Sequence, residues 1–233
     1  MIKAVIFDLD GTLLPINEEK FIDEYLKLLC NHLLPHNYKP EAVKNAIWKG
    51  TKLMMKNNGE TTNQEVFWES FAQDFGKEKL KDKPIIDNFH ETVFVKSLKF
   101  CDKNPLARLL INQIKALNLK LILATNPLYP LSAMQKRLEF IGLDSKDFDY
   151  ITSYENSHFC KGNPKYFEEI LQKNHLKPQD VVMFGNNELQ DGECAKAAGI
   201  TALMVVGQIV KNPTSHFRHI AFNEIINHIK TLL

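Results

Sequence analysis

Five short apolar segments alternate with helical patterns along most of the chain. They lie at residues 2–7, 119–124, 148–152, 181–184 and 201–206, and the third is the weakest. Continuous apolar runs of this length are typical of strands that are buried on both faces of a parallel sheet. We therefore expect an α/β protein built on a doubly wound parallel sheet.

Between these segments, apolar residues recur at the spacing of a helix. The helical patterns cover residues 105–118, 130–141, 164–173 and 188–198. Gly142 and Gly199 directly follow two of these patterns, at the position where a glycine commonly ends a helix. The alternation of strand and helix patterns supports the parallel sheet.

Residues 18–96 differ, because helical spacing fills this region and no convincing strand interrupts it. Four helices are predicted here, at residues 18–34, 41–56, 63–75 and 84–95. Prolines and glycines separate them, as expected of helix boundaries. The sequence thus predicts an α/β core of residues 1–16 and 98–233. A helical domain of residues 17–97 is inserted after its first strand.

The composition is that of an ordinary globular protein. Of the 233 residues, 44% are hydrophobic and 24% are charged, and the formal net charge is +1. So small a charge gives no reason to expect nucleic acid or an anionic membrane as a partner. The four cysteines form no CxxC pair, and neither a signal peptide nor a membrane-spanning run is evident. These features predict a cytoplasmic protein with free thiols.

An acidic motif, "DLDGT", ends the first predicted strand. Side chains two residues apart on an extended chain point the same way, so Asp8 and Asp10 should share one side of the strand end. Two close carboxylates repel, and one tends to keep its proton unless a cation intervenes. The pair suits a nucleophile beside a general acid and base, although Asp-Gly is also common in plain turns.

Two further segments give weaker signals. Thr125 and Asn126 follow the second predicted strand, where a hydroxyl and free N–H groups can bind an anion. Lys161 comes just before a predicted helix and could reach a phosphate or a carboxylate. Taken singly, these residues are more typical of turn chemistry and of a solvated lysine.

The apolar run at residues 181–184 ends in "GNNELQD". Asn186 and Asn187 follow the glycine, and Asp191 comes four residues later. Side-chain amides bind cations less well than carboxylates do. By itself the segment is either a metal site with acid removed or a polar turn.

Taken in order, these four segments resemble the motifs of the haloacid dehalogenase (HAD) superfamily of phosphohydrolases. "DLDGT" matches the family's DxDGT, and "GNNELQD" approaches its GDxxxxD pattern, with Asn186 in place of the first aspartate. Around Lys161 the chain reads Lys-Gly-Asn-Pro, where the family often has Lys-Pro-x-Pro. The stretches "ATNPLYP" and "TSYENSHFCKGNP" are similar to a subgroup of uncharacterised HAD hydrolases.

The resemblance implies a Mg²⁺-dependent phosphohydrolase that acts on a small phosphorylated metabolite. Asp8 would form an aspartyl-phosphate, and Asp10 would protonate the leaving oxygen and then activate water. Thr125 and Asn126 would bind the phosphoryl oxygens, and Lys161 would steady the developing charge. The implied metal ligands are Asp8, Asp10 through its backbone carbonyl, Asn186 and Asp191. With an uncharged Asn186, the site should hold Mg²⁺ less tightly than an aspartate would allow.

The helical insert resembles the family's C1 cap, which closes over the active site. Hinges are then expected near residues 14–17 and 97–103. Trp48 and Trp68 are expected in the core of the cap and not against a substrate. Three lysines share one face of a cap helix, which is more typical of a solvated surface than of an anion site. They are Lys49, Lys52 and Lys56.

Three other functions share much of this pattern. Haloacid dehalogenases of the superfamily lack the second aspartate, so Asp10 argues against that activity. A phosphomutase would share every core residue, and only the cap and the lifetime of the aspartyl-phosphate would distinguish it. A non-catalytic binding or regulatory protein on the same scaffold is suggested by the altered motif at Asn186.

Overall fold

Six parallel strands form the sheet at the centre of the molecule. A computed structural model describes all 233 residues. In chain order the strands are β1 (Ala4–Phe7), β2 (Lys120–Leu123), β3 (Tyr150–Ile151), β4 (Val181–Gly185), β5 (Thr201–Val205) and β6 (His219–Ile220). Their order in space is β3-β2-β1-β4-β5-β6, and every neighbouring pair is parallel. The predicted α/β fold is therefore confirmed.

Nine α-helices accompany the sheet. Four follow β1, namely α1 (Glu18–Leu33), α2 (Pro40–Met55), α3 (Asn63–Phe75) and α4 (Lys83–Thr92). The others are α5 (Ala107–Lys115), α6 (Leu131–Phe140), α7 (Lys165–Lys173), α8 (Cys194–Ala197) and α9 (Ile225–Lys230). No helix combines the length and the apolar content that crossing a membrane would require.

β1 is apolar throughout because its two faces pack into two different cores. Val5 and Phe7 belong to the larger apolar cluster, which also contains side chains of α5, α6, α9 and the four helices after β1. Ala4 and Ile6 belong to the second cluster, which α7 and α8 cover. A strand covered on both sides reads as a continuous apolar run, as the sequence shows.

The register of the sheet brings distant motifs together. Phe7 at the end of β1 pairs with Leu123 of β2 on one side and with Phe184 of β4 on the other. Because parallel strands all end at the same edge, the residues that follow these three positions become neighbours. This edge is where a doubly wound sheet commonly binds its ligand.

The two chain segments that join the sheet to helices α1–α4 lie side by side. Ile16 and Cys101 form an antiparallel bridge, and the N–H of Asn17 donates to the carbonyl of Phe100 at 2.9 Å. Gln208, in the loop after β5, makes two side-chain hydrogen bonds of 2.8 Å to the backbone of Ile16. Both residues of the bridge between Ile16 and Cys101 lie in the predicted hinge segments, 14–17 and 97–103. The predicted domain limits at residues 17 and 97 stay predictions.

Three elements differ from the patterns in the sequence. The helix expected at residues 188–198 is a π-helix, Glu188–Glu193, followed by the short α8. Both β6 and α9 have no counterpart among the predicted elements. β6 has two residues and α9 has six, so neither is long enough to show a clear hydrophobic period.

Candidate active site

Asp8 lies directly after β1 and is bonded through both of its carboxylate oxygens. Oδ1 accepts a hydrogen bond from Lys161 Nζ, and Oδ2 accepts one from the Thr12 hydroxyl at 3.2 Å. Lys161 reaches this point from the segment before α7 and also donates to Asp191 Oδ1 at 2.6 Å. All three charged side chains are at least nine-tenths buried. The structure therefore brings three separate motifs together at the sheet edge.

The buried setting changes how Asp8 and Lys161 titrate. Burial raises the pKa of Asp8 to about 7; Lys161 opposes this rise and Asp191 adds to it. Burial alone would lower the pKa of Lys161, but Asp191 and Asp8 outweigh it and raise that pKa. Lys161 is thus held charged at neutral pH, whereas the charge on Asp8 is sensitive to any further cation.

Asp10 meets a partner that the sequence motifs do not include, Arg137 of α6. The guanidinium donates through Nη1 to Asp10 Oδ2 at 2.7 Å. The Arg137 side chain is only 2% exposed, and its guanidinium carbon lies 4.4 Å from the ring centre of Tyr129 and 4.8 Å from that of Phe21. These rings and Asp10 hold the buried arginine in place.

One signal in the sequence could have pointed to Arg137. It follows the buried Ala133 and Met134 by four and three residues, so it lies on the inward face of α6. A charged residue on such a face needs a buried partner. The identity of that partner depends on how α6 packs against the loop after β1, which periodicity does not reveal.

The loop after β2 holds Thr125 and Asn126 beside the aspartates. The carbonyl of Thr125 accepts hydrogen bonds from the hydroxyls of Thr152 at 2.7 Å and Tyr166 at 2.8 Å. Asn126 Oδ1 accepts from the backbone N–H of Lys161 at 3.3 Å. The supporting hydroxyls come from elements far along the chain and were not among the candidate residues.

Both polar atoms of the Asn186 side-chain amide are hydrogen-bonded. Nδ2 donates to the carbonyl of Gln208 at 2.7 Å, and Oδ1 accepts from the Thr12 hydroxyl at 3.3 Å. The amide packs against Gly11, whose φ of 79° suits glycine and where a Cβ atom would collide with it. Asn186 therefore anchors the loop after β5 while its carbonyl oxygen stays near Asp8.

Asp191 is held by the π-helix that follows β4. The wider turn is closed by the N–H of Gly192, which donates to the carbonyl of Asn187 at 3.2 Å. Asp191 Oδ2 accepts from the backbone N–H groups of Asn186 at 3.1 Å and Asn187 at 3.0 Å, while Oδ1 is bonded to Lys161. In this arrangement Asp191 orients Lys161, and its direct role in metal binding stays a prediction.

The chemistry of the site fits a hard divalent cation such as Mg²⁺. Asp8 Oδ2 and Asn186 Oδ1 both lie against the hydroxyl of Thr12, so two oxygen ligands of the preferred kind are close together. No ready-made cluster of three or more His, Cys, Asp or Glu ligands is present. Carboxylates outnumber cationic side chains in the site, which favours an added cation. They are Asp8, Asp10, Asp191 and Glu18 against Lys161 and Arg137.

A cavity of about 340 Å³ extends from the aspartates to the helices that follow β1. All seven predicted site residues line it, namely Asp8, Asp10, Thr125, Asn126, Lys161, Asn186 and Asp191. Trp48 also lines it and is 46% exposed, so the expectation that it lies in a core is wrong. The reason is that α2 turns this face towards the cavity. Trp68 is buried, as expected, and contributes to the same wall.

Comparison with known proteins agrees with this arrangement. The model for haloacid dehalogenase-like hydrolases matches residues 5–205. The human haloacid dehalogenase-like hydrolase domain-containing protein 3 is 31% identical over 86 residues, which are 36% of this chain and 34% of that relative. The chain therefore matches about a third of the human protein's length.

Several solved structures share the whole fold. The HAD phosphatase from Thermococcus onnurineus is 18% identical, with a TM-score of 0.61 over 98% of both chains. L-2-haloacid dehalogenase from Xanthobacter autotrophicus is 15% identical, with a TM-score of 0.59 over 100% of both chains. CbbY from Rhodobacter sphaeroides is 19% identical, with a TM-score of 0.59 over 97% of this chain and 96% of its own. At such identities the likeness concerns the fold.

Proposed function

The chain belongs to the haloacid dehalogenase-like hydrolase family, and on that premise we propose that it is a Mg²⁺-dependent phosphohydrolase. Its substrate would be the monoester of a small phosphorylated metabolite. The proposal rests on the convergence of Asp8, Asp10 and Lys161 at one end of a single cavity. A related phosphatase and a related dehalogenase share the fold, so the chemistry must be argued from the site itself.

The observation that supports this function best is the state of the Asp10 carboxyl group. Oδ2 is bonded to Arg137, whereas Oδ1 is buried and has no hydrogen-bond partner. A buried oxygen without a partner is costly, and such atoms commonly have a role in function. Since Asp10 lines the cavity beside Asp8, this oxygen is available to a leaving group bound there.

In the first step, a carboxylate oxygen of Asp8 attacks the phosphorus of the ester. A bond forms between that oxygen and phosphorus while the bond from phosphorus to the alcohol oxygen breaks. For this step Asp10 would take up a proton on Oδ1 when the ester binds and pass it to the departing oxygen, so that the alcohol leaves neutral. Lys161 and Thr125 line the same cavity, and they would balance the charge of the phosphoryl oxygens and position them.

In the second step, water attacks the phosphorus of the aspartyl-phosphate. Asp10, now ionised, takes a proton from that water, and the bond from phosphorus to Asp8 breaks to release inorganic phosphate. Arg137 keeps Asp10 in place during both steps through its bond to Oδ2. The enzyme returns to its starting state.

Asp8, the backbone carbonyl of Asp10 and Asn186 would hold Mg²⁺, with Asp191 as a further candidate. The cation would supply positive charge that offsets the repulsion between a phosphate dianion and the site's carboxylates. It would also favour the ionised form of Asp8, whose pKa burial raises to about 7. Lys161 alone cannot do this, because it is shared with Asp191.

Cleavage of a carbon–halogen bond is a second candidate, since a dehalogenase shares the fold. A halide leaves without a proton, so dehalogenation does not require a proton donor such as Asp10 Oδ1. It also does not require Arg137, which holds Asp10 in place through Oδ2. The site is therefore better suited to an alcohol leaving group.

Release of p-nitrophenol from p-nitrophenyl phosphate tests the proposal. We expect hydrolysis that requires millimolar Mg²⁺ and stops when the metal is chelated. Asp8→Asn keeps the shape of the side chain and should lower the rate at least about 1,000-fold, as loss of a nucleophile does. Wild-type activity no greater than that of Asp8→Asn, with every phosphate ester tried, would overturn the phosphohydrolase proposal.

A further inference from the structure

The wall of the cavity that faces the aspartates is mainly apolar. Helix α1 contributes Phe21 and Leu26, α2 contributes Trp48 and Met54, and α3 contributes Phe67. Trp48 remains 46% exposed although it is a large aromatic side chain. An exposed tryptophan in a concave site is a common contact for a ligand. This wall therefore offers contact area and few groups that could bind polar atoms.

Few polar groups lie in this wall, and two of them, Tyr25 and His90, are already bonded within the protein. The carboxylate of Glu18, the hydroxyl of Thr51 and the indole N–H of Trp68 also line the cavity, and the indole N–H has no hydrogen-bond partner. The hydroxyl of Tyr25 lies 3.4 Å from His90 Nε2, and His90 Nδ1 is paired with the carbonyl of Ile86 at 2.9 Å. Burial lowers the pKa of His90 to about 4, so the imidazole is neutral at physiological pH. A sugar has more hydroxyl groups than this mainly apolar wall has free polar groups, and each hydroxyl that is buried without a partner weakens binding.

No free cation faces the cavity either. Among the residues that line it, Lys161 is bonded to Asp8 and Asp191, and Arg137 is bonded to Asp10. The lysines of α2 are not among the lining residues. A second phosphate or a carboxylate on the substrate would thus be buried without a counter-ion, at a large cost.

We propose that the substrate is a phosphate monoester whose alcohol or phenol is uncharged and largely apolar. The hydrocarbon part would lie between helices α1, α2 and α3 while the phosphate meets Asp8. The inference rests on the proposed phosphohydrolase function and adds the class of leaving group. The volume of about 340 Å³ is near the lower end of the range for small-molecule pockets, which suits one compact hydrocarbon group.

A series of n-alkyl phosphates, from methyl to hexyl, tests the apolar wall. Chain length changes the buried area and barely changes the reactivity of the ester. We expect kcat/KM to rise about fourfold per methylene until the cavity is full, because each buried methylene contributes a roughly constant transfer free energy. A flat series would overturn the inference.

Matched pairs of esters separate apolar from polar leaving groups. The pairs are n-propyl phosphate with glycerol 3-phosphate, and cyclohexylmethyl phosphate with glucose 6-phosphate. We expect the apolar member to have the higher kcat/KM in both pairs, by at least about tenfold. Preference for the polar member would overturn the inference and leave the phosphohydrolase proposal intact.

Calorimetry with Asp8→Asn gives the ranking without turnover. The same esters should bind to this variant in the same order of affinity, since the wall is unchanged. Hydrolysis of no ester by the wild-type protein would overturn the proposed function, while the order of affinities would still decide the inference about the wall. The two failures are therefore distinguishable.

Trp48→Ala locates the selectivity in the wall. Because Trp48 is half-exposed, its replacement should not threaten folding. We expect the ratio of kcat/KM for hexyl over methyl phosphate to fall about fivefold. Leu53→Ala is the matched control, since Leu53 is 40% exposed on the same helix and does not line the cavity. Equal ratios in the two variants would contradict a contact at Trp48.

Discussion

The pair formed by Arg137 and Asp10 should respond unequally to removal of its two members. The Arg137 side chain is 2% exposed, whereas that of Asp10 is 24% exposed. Removing one partner of a buried ion pair typically destabilises a protein by about 3–5 kcal/mol, mainly because the other charge is left unpaired. The environment of the charge that remains after each substitution therefore decides how much unfolding free energy is lost.

In Asp10→Ala, the guanidinium is left without a counter-ion between the rings of Tyr129 and Phe21. We expect this variant to lose about 4 kcal/mol, near the middle of the range for a broken buried pair. In Arg137→Met, water can solvate the remaining carboxylate, and methionine can fill part of the apolar site. The expected loss is only about 2 kcal/mol, below that range.

Urea denaturation of both variants, of the double variant and of the wild type gives a complete cycle. We expect the double variant to lose less than the sum of the single losses, by about 2 kcal/mol or more, since no unpaired charge remains. A coupling below about 0.5 kcal/mol would refute the reasoning. So would a larger loss for Arg137→Met than for Asp10→Ala.

Three further predictions follow from single contacts. Asn186→Asp should lower the Mg²⁺ concentration needed for half-maximal activity, because a carboxylate binds the cation more tightly than an amide does. It should also lower the melting temperature, because the new carboxylate would face the Gln208 carbonyl. An unchanged Mg²⁺ requirement would contradict this prediction. His90, with its pKa lowered from 6.5 to about 4, binds fewer protons when folded. Unfolding free energy should therefore fall by about 2 kcal/mol from about pH 7.5 to 5, and by clearly less in His90→Gln; equal losses in urea titrations would contradict this. Gln208→Ala removes both side-chain bonds to Ile16 and should change kcat and KM together if this segment is a hinge; unchanged kinetics would exclude that role.

The parts of the fold that could be predicted are those with a long or continuous hydrophobic pattern. The helix predicted at residues 63–75 begins and ends as expected because Thr62 and Glu65 form a capping box and Gly76 follows its last turn. β1 could be predicted from the sequence because it is apolar on both faces. The two residues of β6 pair only with the end of β5, so their structure depends on a tertiary contact that no local pattern reveals.

The residues of the candidate site also form two groups, those that a local motif predicts and those that only tertiary packing brings to the site. Asp8, Asp10 and Lys161 belong to short motifs that can be read locally, and the structure places all three at one cavity. The residues that support them could not be found in this way. Arg137 and Tyr166 reach the site from helices that follow other strands, and their partners are set by packing across the sheet edge.

Asn186 shows a third case, in which the structure changes the meaning of a residue. In the sequence it is a weakened version of a metal-binding aspartate. In the structure its Nδ2 is also a donor to Gln208, which an aspartate could not provide. An asparagine at this position gives the site less charge than an aspartate would, and it also secures the loop that contacts Ile16.

The most direct test of the account is to trap the phosphorylated enzyme. Wild-type protein is mixed with phenyl phosphate and Mg²⁺, quenched in acid within milliseconds, digested and examined by mass spectrometry. We predict a phosphoryl group on Asp8 that hydroxylamine removes, as expected of an acyl phosphate, and none in Asp8→Asn. Release of phosphate by the wild-type protein with Asp8 unmodified, and equally by Asp8→Asn, would contradict the central claim.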